Sequence, residues 1–159
     1  MSKIVLDADK VILKISNEGT YAHIVGTGND THWEGCTEEV ARNDYKNRNS
    51  QSGLLKDGGI YFPNENMVMP FNCGVDSIIE VEVPEEVKEG EYKYIDGQFI
   101  INVPARKENI IRELSELDSI INRATEDLYA ATGTTPYASV EEVIDKKEAL
   151  RKELAELEA

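Results

Sequence analysis

Four groups of side chains in this sequence are of types that do chemistry. His23, His32 and Cys36 are metal-ligand types, and His32 and Cys36 stand four positions apart. A zinc ion held there would need a fourth ligand from distant Cys73 or a carboxylate, whereas structural zinc sites draw on tighter paired spacings. Asp7 and Asp9 could begin a cation loop, yet no third and fourth oxygen ligand follows at loop spacing, so Asp7-Ala8-Asp9 reads as a turn. Gly26-Thr27-Gly28 lacks the third glycine and the following Lys-Ser or Lys-Thr of a phosphate loop. Glu80, Glu82, Glu85, Glu86, Glu89 and Glu91 are plentiful carboxylates without the enclosed pocket that acid–base work needs, and they read as a solvated outer face. No catalytic, cofactor-binding or metal site is therefore expected, and the chain reads as non-enzymatic.

The elements that would position these groups follow from periodicity. Ile4-Val5-Leu6 and Val11 to Ile15 flank the Asp7–Asp9 turn, and Asn17-Glu18-Gly19 turns again before Thr20 to Val25. Two short connections in succession predict a meander of antiparallel strands. Residues 26–59 are the least periodic. Within them Thr37 caps a short helix to Tyr45 whose first turn carries Glu38 and Glu39. The polar run Lys46 to Gly53 reads as an exposed loop, and Lys56-Asp57-Gly58-Gly59 as a turn before Ile60-Tyr61-Phe62. Met67 to Phe71 is an apolar run interrupted by Pro70, which suits an edge or bulged strand. Ser77 to Val83 alternates, with Ile79, Val81 and Val83 on one face and glutamates on the other, the pattern of a half-buried strand. The plainest local signal is Asp96-Gly97 between Glu91–Ile95 and Gln98–Val103, a two-residue hairpin turn. Pro104 then stops the sheet.

From Ile110 the apolar residues Ile110, Leu114, Leu117, Ile121, Ala124, Leu128 and Ala131 recur in alternating steps of four and three, the heptad rhythm of a helix that turns one stripe to a partner. A break at Gly133 to Pro136 and a capping-box pair, Ser139 and Glu142, precede a second helix with Val143, Ile144, Leu150, Leu154 and Leu157. Glu108–Arg112, Glu142–Lys146 and Glu148–Lys152 have the spacing of helix-stabilising ion pairs. The fold class expected is α+β: an antiparallel β-rich domain over residues 1–103, then a coiled-coil-like α-helical hairpin over 104–159. Two helices alone bury little, so the seam must be completed by the protein's own sheet, a second copy or another protein. Contacts are expected at Ile110, Leu114, Leu117, Ile121, Leu128, Leu150 and Leu154, with Trp33, the only tryptophan, and Tyr61 as further candidates.

Composition narrows the partners. A net charge of -14, with 9 basic and 18 acidic groups in residues 1–103 and 8 and 13 in 104–159, disfavours nucleic acid and anionic membrane, both of which call for clustered Lys and Arg. No apolar run reaches membrane-spanning length. Met1-Ser2-Lys3 leads directly into a strand-like segment without a signal-peptide pattern, so synthesis in a cytosol is expected. Cys36 and Cys73, far apart and without a CxxC pattern, read as two free thiols.

The stretch Val83-Pro84-Glu85-Glu86-Val87-Lys88-Glu89-Gly90-Glu91-Tyr92-Lys93-Tyr94-Ile95-Asp96-Gly97-Gln98-Phe99-Ile100-Ile101-Asn102 resembles a module of small phage tail-associated proteins, in which it closes a β domain and leads into a helix. Ile111 to Leu157, ending in Ala149-Leu150-Arg151-Lys152-Glu153-Leu154-Ala155-Glu156-Leu157, is similar to the C-terminal helical hairpin of those proteins. They occur in phages and prophages of Gram-positive bacteria, beside tail fibre or baseplate genes. Residues 1–82 share only the general style. The resemblance implies a non-enzymatic tail protein, assembled in the host cytoplasm and carried in the virion, that contacts a tail fibre or baseplate protein and joins copies of itself through the hairpin. A tail-fibre assembly chaperone absent from the finished particle, and a phage-encoded inhibitor of a host defence protein, are the competing expectations.

Overall fold

The computed structural model describes residues 1–48, 55–130 and 140–159, with side chains for all of these except 124–130 and 140–141. It is mixed α+β and divides into two compact units, Met1–Asn102 and Val103–Ala159.

Among the described residues the first unit holds three antiparallel sheets. β1 (Ser2–Asp7) lies between β2 (Ile12–Ser16) and β7 (Val75–Val81). A four-stranded sheet has the order β4 (His32–Gly35), β3 (Thr20–Val25), β5 (Gly58–Phe62), β6 (Met67–Pro70). β8 (Tyr92–Ile95) pairs with β9 (Gln98–Ile101). β1 is the axis of the unit. Its Val5 enters a core made with Ala41, Ile60, Phe62, Phe71 and Val75, while Ile4 and Leu6 enter a second core with Ile12 and Val87. Ile4, Val5 and Leu6 are all wholly buried, because successive strand residues point to opposite faces and both faces are covered.

The first turn forms as expected: Asp7 Oδ1 accepts the N–H groups of Asp9 and Val11, each at 2.9 Å. The expected meander does not continue. β3 pairs with β4 and β5 rather than with β2. The chain changes sheets at Gly19, whose φ of +126° is open to glycine, and where a Cβ would stand 2.7 Å from Ile78 Cδ1 and 2.8 Å from Phe62 Cε1.

α1 (Glu38–Lys46) carries its expected cap, Val40 N–H donating to Thr37 Oγ1 at 3.3 Å. The rest of residues 26–59 is more ordered than its polarity suggested. His32–Gly35 becomes a strand through backbone pairing with β3, and Gly58 and Gly59 belong to β5 rather than to a turn. An ideal Cβ on Gly58 would overlap the Ala41 carbonyl oxygen, so this glycine lets α1 lie directly on the strand. Arg42 fastens the helix further: Nε meets Glu38 at 2.9 Å and Nη2 donates to the Asp76 carbonyl at 2.6 Å, while the guanidinium lies 5.1 Å from the Phe71 ring centre. Of the polar run, Asn49 to Gly53 lies outside the described residues.

β6 is an edge strand, with Pro70 at its end. β7 meets a core on each face, while Glu80 and Glu82 are exposed as the alternation predicts. Val75 and Ile78 meet the first core, Val81 and Val83 the second, and Ile79 is 36% exposed. Asp96 and Gly97 have φ of +50° and +78°, as a two-residue hairpin turn demands. Tyr92, Tyr94 and Phe99 pack on the second core, Tyr94 and Phe99 with ring centres 4.9 Å apart. Two of the glutamates read as solvated are engaged. Glu89 Oε1 accepts Ile15 N–H at 2.8 Å, and Glu91 is only 6% exposed.

In the second unit, α2 (Val103–Ala130) starts before Pro104, which occupies the first turn, where a missing N–H leaves no bond unmade. α3 spans Val140–Glu158. The two helices share a core of Ile110, Leu117 and Leu150 with Leu114, Ile120, Val143, Leu154 and Leu157 around it. Arg106 grips Glu153 with two bonds, Nε–Oε1 at 2.7 Å and Nη2–Oε2 at 2.8 Å, and Asp118 pairs with Lys147. A residue early in α2 thus meets one late in α3, and a later one meets an earlier one, so the two run in opposite directions. The expected Glu108–Arg112 and Glu148–Lys152 pairs do not form; Arg112 bonds Asn109 at 2.8 Å. The break at Gly133 to Pro136 and Ser139 lie outside the described residues. Among those described, no helix is long and apolar enough to cross a membrane.

Candidate contact surfaces

The residue types that suggested chemistry are dispersed by the fold. His23 faces α1, and its Nδ1 lies 2.8 Å from Asp44 Oδ2, with both side chains largely buried. His32 stands on the edge strand, 3.0 Å from the Asp30 carbonyl and 3.6 Å from a Glu34 oxygen. Both cysteines are free thiols. Burial pushes the Cys36 thiol above its ordinary pKa and the charge of Asp44 adds to the rise, against a hydrogen bond from Ala41 that favours the thiolate. Cys73 is exposed. Burial works against the Arg42 charge, but the hydrogen bond and charge of Glu38, then Tyr21 and Asp76, outweigh it and hold its pKa above the ordinary value. No group of three or more His, Cys, Asp or Glu side chains among the described residues is placed to share a metal ion.

An open depression of about 410 Å³ is lined by Ile15, Ser16, Asn17, Glu18, Asn64 and Glu65. Its carboxylates are already occupied. Glu18 accepts the N–H groups of Asn64 and Glu65, each at 3.1 Å, and Glu65 pairs with Lys14 at 2.7 Å.

The stripe residues expected to make contacts fall mostly inside the second unit. Ile110 is wholly buried, Leu117 and Leu150 are 7% and 6% exposed, and Leu114 and Leu154 pack beside them. Ile121 is half-buried, with Ile120 packed against the core one position earlier. The Leu128 side chain lies outside the described residues. The seam of α2 is thus met by the leucines of α3. Among the described residues of this unit the large apolar side chains left most open are Ile111 and Ile144, 58% and 44% exposed.

Trp33 and Tyr61 share one sheet face. In antiparallel pairing, directly opposed residues point the same way. The register Ile24↔Trp33, Ala22↔Gly35, Ala22↔Gly59, Thr20↔Tyr61, Tyr61↔Val68 and Gly59↔Pro70 therefore gathers nine residues on the side away from α1. The opposite side carries Tyr21, Ile60, Phe62, Met67 and Met69, all in the first core. None of the nine is charged, in a chain that is 30% charged. Ile24, Trp33, Tyr61 and Val68 are half-buried and belong to none of the three apolar clusters. Ala22 is wholly buried. Ile24 and Val68 were not singled out by sequence. The alternation in Thr20–Val25 was the available signal for the first, but nothing local says which strands lie side by side.

Comparison with protein-family models, curated proteins and solved structures finds no match.

Proposed function

We propose that this chain is a non-enzymatic contact protein that works in a phage tail, at the baseplate or a fibre. Its second unit would be a coiled-coil-type helical hairpin, through which copies or a neighbouring tail protein are joined. The observation that carries the contact reading is the uncharged sheet face around Trp33 and Tyr61. Surfaces that meet protein partners are depleted of charge at their centre and enriched in Trp and Tyr. The chemistry-bearing side chains add support, because His23, Asp44, Arg42, Glu18 and Glu65 are each committed to a contact that holds the fold. The tail setting is supported by the likeness of Val83–Asn102 and Ile111–Leu157 to phage tail-associated proteins. Mass spectrometry of purified virions from a phage or induced prophage encoding this chain tests the setting: the chain is expected at a fixed copy number per particle. Its absence from particles whose assembly still requires it would overturn a structural role and favour the assembly chaperone.

A further inference from the structure

His23 and His32 are the two histidines of this chain, and both present the same ring nitrogen to an acceptor. His23 Nδ1 lies 2.8 Å from Asp44 Oδ2, and His32 Nδ1 lies 3.0 Å from the Asp30 carbonyl oxygen. An ionised carboxylate and a carbonyl can only accept, so in the neutral rings Nδ1 carries the proton and Nε2 keeps its lone pair. The outer partners of a metal-ligand histidine fix its tautomer and aim its ring in this same way. His32 Nε2 then faces Glu34 Oε2 at 3.6 Å. Two ligand atoms about 2.1 Å from one tetrahedral ion stand about 3.4 Å apart, close to that separation.

The pairing of β3 with β4 supplies a third ligand. The register His23↔Glu34 sets these side chains directly opposite one another, and Val25↔His32 places His32 two residues before Glu34. Opposed residues, and residues two apart on one strand, point the same way. His23, His32 and Glu34 therefore share the side of the sheet that faces α1, with the Cβ atoms of the opposed pair about 5 Å apart. As the side chains stand, the three do not converge on one point. The movement required falls on His32 and Glu34, whose side chains are 62% and 63% exposed and turn without disturbing a core. His23 is already held by Asp44. Cys36 packs against the first core, so a carboxylate rather than a thiolate completes the set. We infer that His23 Nε2, His32 Nε2 and the Glu34 carboxylate bind one zinc ion, with solvent in the fourth position. Two imidazoles and one carboxylate suit that ion, whereas calcium and magnesium call for shells of oxygen. The ion would clip the edge strand β4 to β3. This inference is independent of the contact-protein reading and of the tail setting.

The untagged full-length chain, stripped of metal and dialysed, is titrated with Zn²⁺ in competition with a chromophoric zinc chelator. One ion per chain is expected, bound tightly enough to compete. His32→Ala and Glu34→Gln alter exposed side chains, so their circular dichroism should match the native protein while each weakens binding by about tenfold or more. Nitrogen-resolved NMR of the two imidazoles adds a readout that a merely structural role would not move: both Nε2 resonances should shift with the ion, and both Nδ1 atoms should stay protonated. Failure to compete with the chelator, or an unchanged affinity in either variant, would overturn the inference. So would a His23 resonance that stays in place while that of His32 moves, because the ion would then sit on two ligands at the sheet edge. Sedimentation showing that zinc joins two chains would also overturn it, since the ion would be held between copies.

Discussion

Gly58→Ala is the sharpest test of how the first unit is built. Gly58 is absent from the positive-φ positions, so alanine could adopt its backbone, and in an open strand it would be favoured over glycine by about 0.5–1 kcal/mol. Here the new methyl would overlap the Ala41 carbonyl oxygen, with the Ala41 carbonyl carbon at 2.7 Å and Cα at 3.3 Å. These are backbone atoms of a helix, and no rotamer change moves them. α1 must lift from β5, loosening the edge-on contact of Tyr45 with Phe71, whose ring centres are 5.6 Å apart, and the 2.8 Å bond between His23 and Asp44. Overpacking of this kind costs about 1–3 kcal/mol, and a weakened part-buried hydrogen bond about 1 kcal/mol more. Set against the backbone gain, the expected net destabilisation is about 2 kcal/mol. For a unit of this size that lowers Tm by roughly 8–16 °C. Urea unfolding followed by Trp33 fluorescence reads the first unit alone, since the only tryptophan lies on β4. Gly97→Ala is the control. Its φ is +78° and a Cβ there meets nothing within 4 Å, so its cost is the left-handed backbone strain of an alanine, about 1–2 kcal/mol. A Gly58→Ala protein as stable as the native one, or more so, would refute the direct seating of α1 on β5.

Leu117→Glu should cost several kcal/mol in the second unit, because a carboxylate would replace a side chain only 7% exposed in the apolar core between α2 and α3. A variant with unchanged helical circular dichroism and melting would show that the core is not closed there. Ser77→Ala should be neutral or stabilising by up to about 1 kcal/mol, since Ser77 Oγ is buried without a hydrogen-bond partner among the described residues; clear destabilisation by chemical unfolding would reveal a partner. Because the folded state raises the Cys36 pKa, its contribution to stability is complete below the unfolded thiol's pKa and is lost as pH rises through the folded value. Stability should therefore fall on the alkaline side, with that component absent in Cys36→Ala, and alkylation should reach exposed Cys73 first. Equal alkylation rates for the two thiols would contradict the burial of Cys36.

Local chemistry was legible wherever one short segment holds both halves of the signal. The Asp7 turn, the Thr37 cap, the Asp96-Gly97 hairpin and the stripe Ile110, Leu114 and Leu117 each need only residues a few positions apart, and each is found in the fold. The α+β order followed from the same local patterns. Tertiary structure decided what depends on distant partners. Whether Thr20–Val25 joins β2 or founds a second sheet turns on Gly19 meeting Phe62 and Ile78, 43 and 59 positions away. His32–Gly35, with one large apolar residue, is a strand because the backbone of β3 lies beside it. Gly58 looked like a turn residue because close approach and a turn both ask for glycine, and only the position of Ala41 separates them. The candidate surface shows the same division. Trp33 and Tyr61 were visible as isolated large aromatics, but their common face with Ile24 and Val68 exists only through the register of four strands. Side-chain direction is written along the chain; adjacency between strands is written across it, in backbone hydrogen bonds that any sequence can make.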